Sequence, residues 1–430
     1  MLDRKKVKLG DVAHLGGGYA FKSSQYTEAG HFILRTVNIR DDTSITKEGA
    51  AFISEEEAKP FERFSLKEHD TLFVMVAATL GKIGYVRASD LPALLNQNMW
   101  VIRAKDDLID PVYLHYLFRV LSKIPLAWVS GSARSFLRRD DVRNLEFDLP
   151  DRSRQEGIAE ILKALDDKID LNRQMNETLE AMARALFKDW FVDFGPTKAK
   201  MEGRPPYLAP EIWNLFPDTL DDDGKPEGWV YQPANKLFEF NPKETIPKGS
   251  VAPYLDMASI PTTGLVSEEP IQREYKSGTK FRNGDALFAR ITPCLENGKT
   301  AFVFDLEQDA IGAGSTEFIV IRSRPPVPKA ASYLLARDDE FRNHAIRSMT
   351  GTSGRQRANT EALGQFELAT PNSDDLWLAF EEIMHPKMNK IICNAKESRT
   401  LAETRDFLLP KLMSGEIRVT DAEKIIEEVA

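Results

Sequence analysis

The chain states one pattern twice, and each statement closes on the same long apolar register. Asp70-Thr71-Leu72-Phe73 recurs as Asp285-Ala286-Leu287-Phe288. Gly131-Ser132-Ala133-Arg134 recurs as Gly351-Thr352-Ser353-Gly354-Arg355, and LEFDLP (Leu145 to Pro150) as FELATP (Phe366 to Pro371). A spacing of about 220 residues is far beyond a solenoid unit, whose period is roughly 20–50 residues. The chain is therefore expected to hold two domains of one kind, doing similar work on similar but non-identical targets.

Each copy ends in a heptad. Ile158, Leu165, Leu179 and Leu186 share one seven-residue phase, and Leu162, Ile169, Ala183 and Trp190 the other. Asn172 and Asn176 fall mid-seam. Shifting this seam by 222 residues lands on Phe380, Lys387, Asn394, Leu401 and Leu408, and on Met384, Ile391, Ser398, Arg405 and Leu412. Lys387 and Arg405 depart from the pattern and read as looser or solvated stretches. A sustained heptad is a coiled-coil pattern, and one polar layer such as Asn172 with Asn394 can fix register and partner. Each helix could pack on its own domain, but the heptad's length favours pairing with the other helix. A helix of about 40 residues is roughly 60 Å long.

The expected fold class is α+β: two similar mixed, strand-rich domains joined by two long helices in an antiparallel coiled coil, with an internal pseudo-twofold repeat. The expected divisions are 1–150, first domain; 151–194, first long helix, ended by Gly195-Pro196; 195–228, a Pro-, Gly- and Asp-rich linker with one amphipathic turn at Ile212 to Phe216; 229–372, second domain; 373–418, second long helix; and 419–430, a tail. Within the first domain, β-type runs such as Phe32-Ile33-Leu34, Thr71 to Val76 and Met99 to Ile102 alternate with turns, and Pro111 opens a helix to about Val120.

With 430 residues, two or three domains have room for their own cores. The charged fraction of 29% is that of a soluble globular protein, no apolar run approaches the roughly 20 residues of a membrane span, and no signal peptide is legible, so a cytoplasmic location is expected. Cys294 and Cys393 suit a reducing compartment. The net charge of −9 argues mildly against nucleic acid, but charge must be read by domain. Met1 to Pro150 holds about 21 basic and about 20 acidic residues; the acidic excess lies further on, including Asp221-Asp222-Asp223. A basic face on the second domain must be locally concentrated.

Catalytic constellations are scarce. The six histidines are scattered without metal spacing. Gly298-Lys299-Thr300 resembles the end of a phosphate loop, but its first glycine would fall on Pro293, so a β-turn is the better reading. Gly16-Gly17-Gly18 could cradle a phosphate on its amides, as a weak signal. A chain of this size without a site is a binder or scaffold before it is an enzyme, so no catalytic residue, metal or cofactor is assigned to it.

Residues suited to DNA are better represented. The first domain offers Tyr19, Lys22, Arg35, Asn38, Arg40, Lys82, Asn98, Arg134, Arg138 and Arg139. The second offers Lys280, Arg282, Arg290, Asn297, Lys299, Thr316, Ser353, Arg355, Gln356 and Arg357. Arg suits guanine edges and phosphates, Asn and Gln adenine edges, Ser and Thr phosphates or either base. The Arg-rich stretches after Gly131 and Gly351 hold equivalent places yet differ in detail, as two readers of different sequences would.

LFKDWFVDF (Leu186 to Phe194) and LLPKLMSGEIRV (Leu408 to Val419) close the two helices; with LNQNMWVIR at Leu95, PEGW at Pro226 and LPDRSRQEGIAEIL at Leu149, they make the chain resemble the specificity subunit of type I restriction–modification systems over nearly its whole length. The resemblance implies two target-recognition domains, each reading one half of an asymmetric, split site in double-stranded DNA. It also implies an antiparallel coiled coil that spaces them and docks two methyltransferase (modification) subunits, with restriction subunits for translocation and cleavage. S-adenosylmethionine, ATP and Mg would then reside on those partners, and this chain would catalyse nothing. Phe187, Phe191 and Phe194 either dock a partner subunit or cover the junction with a recognition domain. The alternatives are a specificity subunit of a modification-only system, or a coiled-coil scaffold joining protein-binding domains.

Overall fold

The computed structural model of the chain describes residues 5–75, 79–131, 137–352 and 354–429. It divides into two compact units, Met1–Ile169 with Arg399–Ala430, and Asp170–Ser398. Both long helices, Arg152–Phe191 and Asp375–Ser414, contribute to each unit, so the division falls inside the helices rather than at their ends.

In the first unit β1 (Lys5–Lys8), β2 (Ala13–Gly17), β3 (His31–Leu34), β4 (Ala51–Ile53), β5 (Thr71–Val74), β6 (Ile83–Tyr85), β7 (Ala93–Leu95), β8 (Met99–Ala104) and β9 (Glu146–Leu149) build three sheets. Their orders are β1-β9, β2-β8-β5-β6 and β4-β3-β7, with β3 and β7 a parallel pair. The second unit repeats the plan. It uses β10 (Val230–Pro233), β11 (Phe238–Phe240), β12 (Val251–Leu255), β13 (Ile271–Glu274), β14 (Thr279–Phe281), β15 (Ala286–Ala289), β16 (Thr300–Phe302), β17 (Gly312–Gly314), β18 (Phe318–Ser323) and β19 (Glu367–Thr370). The sheets run β10-β19, β11-β18-β15-β16 and β13-β12-β17-β14, and β12 with β17 is again the parallel pair.

The repeated Asp-X-Leu-Phe has a physical reason. Leu72, Phe73, Leu287 and Phe288 fill the faces of the central strands β5 and β15. The aspartate ahead of each strand is 1% exposed in both units. Asp70 receives Arg103 Nε at 2.7 Å and Nη2 at 2.5 Å from β8, and the Lys67 amide at 2.7 Å. Asp285 receives Arg322 Nε and Nη2 from β18, both at 2.7 Å, and the Arg282 amide at 2.7 Å. A buried carboxylate is tolerable only when so paired.

In the first unit the helix Pro111–Leu121 starts where Asp110 accepts the Tyr113 amide at 2.8 Å. It buries Tyr113, Leu114, Tyr116, Leu117 and Phe118. Ile158, Leu162 and Leu165 share one core with Leu401, Leu408 and Leu412, and Ile169 packs at its margin. Arg405, expected in a solvated stretch, is instead buried: its Nη1 lies 2.5 Å from Asp166, which also accepts the Tyr116 hydroxyl at 2.7 Å. Its long apolar stem fills the seam while the carboxylate neutralises its head. The segment expected as a tail is helical over Val419–Val429 and seats Ala422 in this core.

Within the second unit the two helices run antiparallel. Asn394 Nδ2 donates to Asn176 Oδ1 at 2.9 Å, and Asn172 Nδ2 to Glu397 at 2.8 Å. Phe380, Met384 and Ile391 are buried with Trp190, while Leu179 and Leu186 pack at the edge. Phe187, Phe191 and Phe194 are core residues, at most 8% exposed. Phe191 stacks on Trp377 at 4.2 Å, Phe187 lies 6.0 Å from Phe380, and Phe194 meets Trp229 edge-on at 5.8 Å. Of the two expected roles, partner docking is corrected: their rings are consumed by packing inside the second unit. The linker is packed as well, forming helices Gly195–Met201 and Pro210–Trp213 and burying Trp213 and Phe216.

Candidate nucleic-acid interface

One end of each four-stranded sheet gathers the polar candidates. In the first unit the Met75 amide donates to Asn98 O at 2.8 Å, and the Gln97 amide to Tyr19 O at 2.8 Å. This turn places exposed Asn98, at φ 70, beside half-buried Tyr19. Gly18 passes so close to Asn96 that a Cβ there would lie 1.8 Å from its carbonyl oxygen. Gly16, against Val101, and Gly18 therefore serve close packing, and Gly17 leaves room for the Arg139 guanidinium, which is a sufficient reason for them without a phosphate. Exposed Arg139 reaches over Trp100 at 5.8 Å. Exposed Arg138 precedes it, and Lys22 is exposed on a separate turn.

Other first-unit candidates are occupied. Asn38 is fully buried: its Oδ1 accepts the Arg35 amide at 3.1 Å and its Nδ2 donates to Glu48 O, so it shapes a loop and does not reach solvent. Arg35 donates to Gly49 O, Arg40 to the Thr46 hydroxyl at 3.3 Å, and Lys82 pairs with Asp41 at 2.6 Å. Arg134 and Ser353 lie outside the described residues.

The second unit has the same frame and different chemistry. The Arg290 amide donates to Glu317 O at 2.9 Å, so Arg290 and Glu317 stand where the first unit has Met75 and Asn98. The Thr292 amide donates to Gln356 O at 3.0 Å and the Ala358 amide to Arg290 O at 2.8 Å, which ties the Arg-rich segment to the end of β15. Arg357 Nε lies 3.0 and 2.9 Å from the two Glu317 oxygens, and its Nη2 is 2.7 Å from Oε1. The Arg357 guanidinium holds the Glu317 carboxyl below the usual glutamate range. Exposed Arg355 and Thr316 flank this cluster. Glu317 was missed because the sequence was searched for cations; the signal available was an acid directly after Ser315-Thr316 at a strand start.

Two second-unit candidates, Lys299 and Arg282, prove to be structural or committed. Lys299 turns inward to Met257 O at 2.6 Å. Gly298 and Thr300 give their carbonyls to buried Arg337, at 2.7 and 2.9 Å, so this turn is an arginine cradle, not a phosphate loop. Arg282 forms a two-bond pair with Glu244 at 2.6 and 2.9 Å. Lys280, over Tyr275 at 5.5 Å, lines a 440 Å³ cleft with Lys243 and Thr245, and Asn297 is exposed on its own turn. Among the described residues no cluster of His, Cys, Asp or Glu could hold a metal, and no helix is long and apolar enough to cross a membrane.

Comparison with known proteins agrees with this architecture. The type I restriction modification DNA specificity domain matches residues 1–181. The chain is 26% identical over 328 residues to the type I restriction enzyme HindI specificity subunit of Haemophilus influenzae, covering 65% of this chain and 70% of that protein. It is 25% identical over 356 residues to the MjaIX specificity subunit of Methanocaldococcus jannaschii, covering 79% and 76%. The crystal structure of a type I restriction–modification S subunit from M. genitalium shares the fold at a TM-score of 0.53, with 14% identity and 96% of both chains covered. Residues 1–181 thus match a type I restriction modification DNA specificity domain, and over most of its length the chain is similar to the specificity subunits of type I restriction–modification systems.

Proposed function

We propose that this chain reads DNA on behalf of partner enzymes, with 1–150 recognising one half of a split, asymmetric site and 229–372 the other. One observation carries the reading: two sheets of the same order present, at equivalent strand ends, Met75 with Asn98 in one unit and Arg290 with Glu317 in the other. A constant frame with changed donors and acceptors is what two readers of different bases require. Phosphate contacts from exposed cations such as Lys22, Arg138 and Arg355 supply affinity without sequence choice.

The role is recognition, not catalysis. Two methyltransferase subunits bring S-adenosylmethionine and modify adenine flipped from the stack. Restriction subunits bring ATP and Mg, and the assembly works in the cytoplasm. With a net charge of −9 the isolated chain binds DNA weakly, and the partners supply the remaining grip. Single-molecule methylome sequencing of the host with and without this gene tests the proposal. Loss of N6-methyladenine at one split motif is expected; an unchanged methylome in a host whose partner genes are expressed would overturn it.

A further inference from the structure

We propose that Arg357 is the guanine-reading residue of the second recognition unit and that Glu317 is its positioning residue. This rests on the DNA-reading role proposed above and assigns part of its chemistry. An anion among basic residues on a DNA-facing edge repels phosphate, so its presence needs a gain in orientation. Glu317 provides one. Its carboxylate takes the Nε and one Nη2 hydrogen of Arg357, which fixes the guanidinium plane.

The backbone beneath is held too. Arg357 exchanges both amide bonds with Thr350, at 3.0 and 2.9 Å, and bridges Ile291 on its other side. Nη1 makes one long contact, 3.4 Å to the Arg355 carbonyl, and its second hydrogen with the outer Nη2 hydrogen remains, on a side chain that is 43% exposed. That two-donor edge matches O6 and N7 of guanine in the major groove; adenine offers a donor at N6 instead and is rejected. A fixed fork loses less freedom on binding, so orientation becomes discrimination. Arg355, on the exposed turn two residues earlier, has no such clamp from Glu317 and is the phosphate contact. The first unit has Asn98 at the position of Glu317, so this device belongs to the second half-site alone.

The test is methylome sequencing of a host carrying the intact system with wild-type chain, Arg357→Ala, Arg357→Lys or Glu317→Gln. Wild type should show a fixed G·C pair at one position of one half-site. Arg357→Ala and Arg357→Lys should relax that single position, with roughly tenfold lost discrimination against other bases and the other half-site unchanged. Glu317→Gln should relax the same position to a smaller degree. A uniform drop in methylation with the motif intact would make Arg357 a phosphate contact and overturn the proposal. So would an unchanged motif, or relaxation at a position that is not G·C. If Arg357→Ala abolishes methylation, Arg357→Lys decides, because it keeps the charge and the backbone bridges. A wild-type host with no gene-dependent split motif would instead sink the DNA-reading role itself.

Discussion

Asp70→Ala and Asp285→Ala remove the same carboxylate from two copies of one frame, and the structure says they will not cost the same. Each aspartate is 1% exposed and accepts three hydrogen bonds, two from an arginine and one from a backbone amide. Removing one partner of a buried pair costs about 3–5 kcal/mol when the other is left sealed from water. Neither arginine is sealed: Arg103 is 31% exposed and Arg322 27%. Partial rehydration brings the first loss to about 3 kcal/mol, since Arg103 keeps only the Ser65 carbonyl as protein partner among the described residues. Arg322 keeps a second carboxylate, Glu244, at 2.9 Å, so the second loss falls to about 2 kcal/mol. Hydrogen exchange of the intact protein in a urea series, read by mass spectrometry on peptides covering β5 and β15, reports the two units separately. Both losses below about 1 kcal/mol, or a larger loss from Asp285→Ala, would refute the claim that these pairs anchor the repeats.

Three further outcomes are expected. His115 is buried, and burial holds its pKa well below the usual histidine value; the unfolded chain therefore takes up a proton first, and first-unit stability should fall as pH drops below about 6.5 and be fully present above it. Urea midpoints between pH 5 and 7 check this, and His115→Gln should flatten that slope. Phe191→Ala removes the ring stacked on Trp377 at 4.2 Å and should cost the second unit about 3–5 kcal/mol in denaturant titration. Asn394→Leu strands Asn176 Oδ1 and should cost about 1 kcal/mol, whereas Asn176→Leu with Asn394→Leu should recover it; a double-mutant cycle by thermal melting measures the coupling.

The long helices were legible because a heptad is a local record: Ile158, Leu162 and Leu165 announce their buried face within two turns. The repeat was legible for the same reason, through short phrases at matching places. Pairings across space were not. Nothing near Asp70 names Arg103, 33 residues away, and nothing near Phe191 names Trp377 as its stacking partner. Arg405 reads as a break in an apolar pattern until Asp166 is seen beside it. The closing helix was overlooked, although Val419, Ala422, Ile425 and Ile426 carry its spacing. Polar candidates fared worst, because the residue types that contact DNA also cap and brace loops, as Asn38 and Lys299 do here.

If the proposed reading holds, the division between frame and reader bears on how such a chain can change its target. Asp70 with Arg103 and Asp285 with Arg322 sit at the starts of β5 and β15 and at the far ends of β8 and β18. Met75, Asn98, Arg290 and Glu317 sit at the opposite ends of those same strands. The buried pairs hold register, so a substitution there shifts every side chain along the strand. The opposite ends carry turns whose backbone bonds, Met75 N to Asn98 O and Arg290 N to Glu317 O, do not depend on which side chains are attached. Side-chain chemistry at those ends can therefore be exchanged while the ladder stays in place. Two units of one sheet order bearing an amide in one and a clamped guanidinium in the other are the outcome of that freedom.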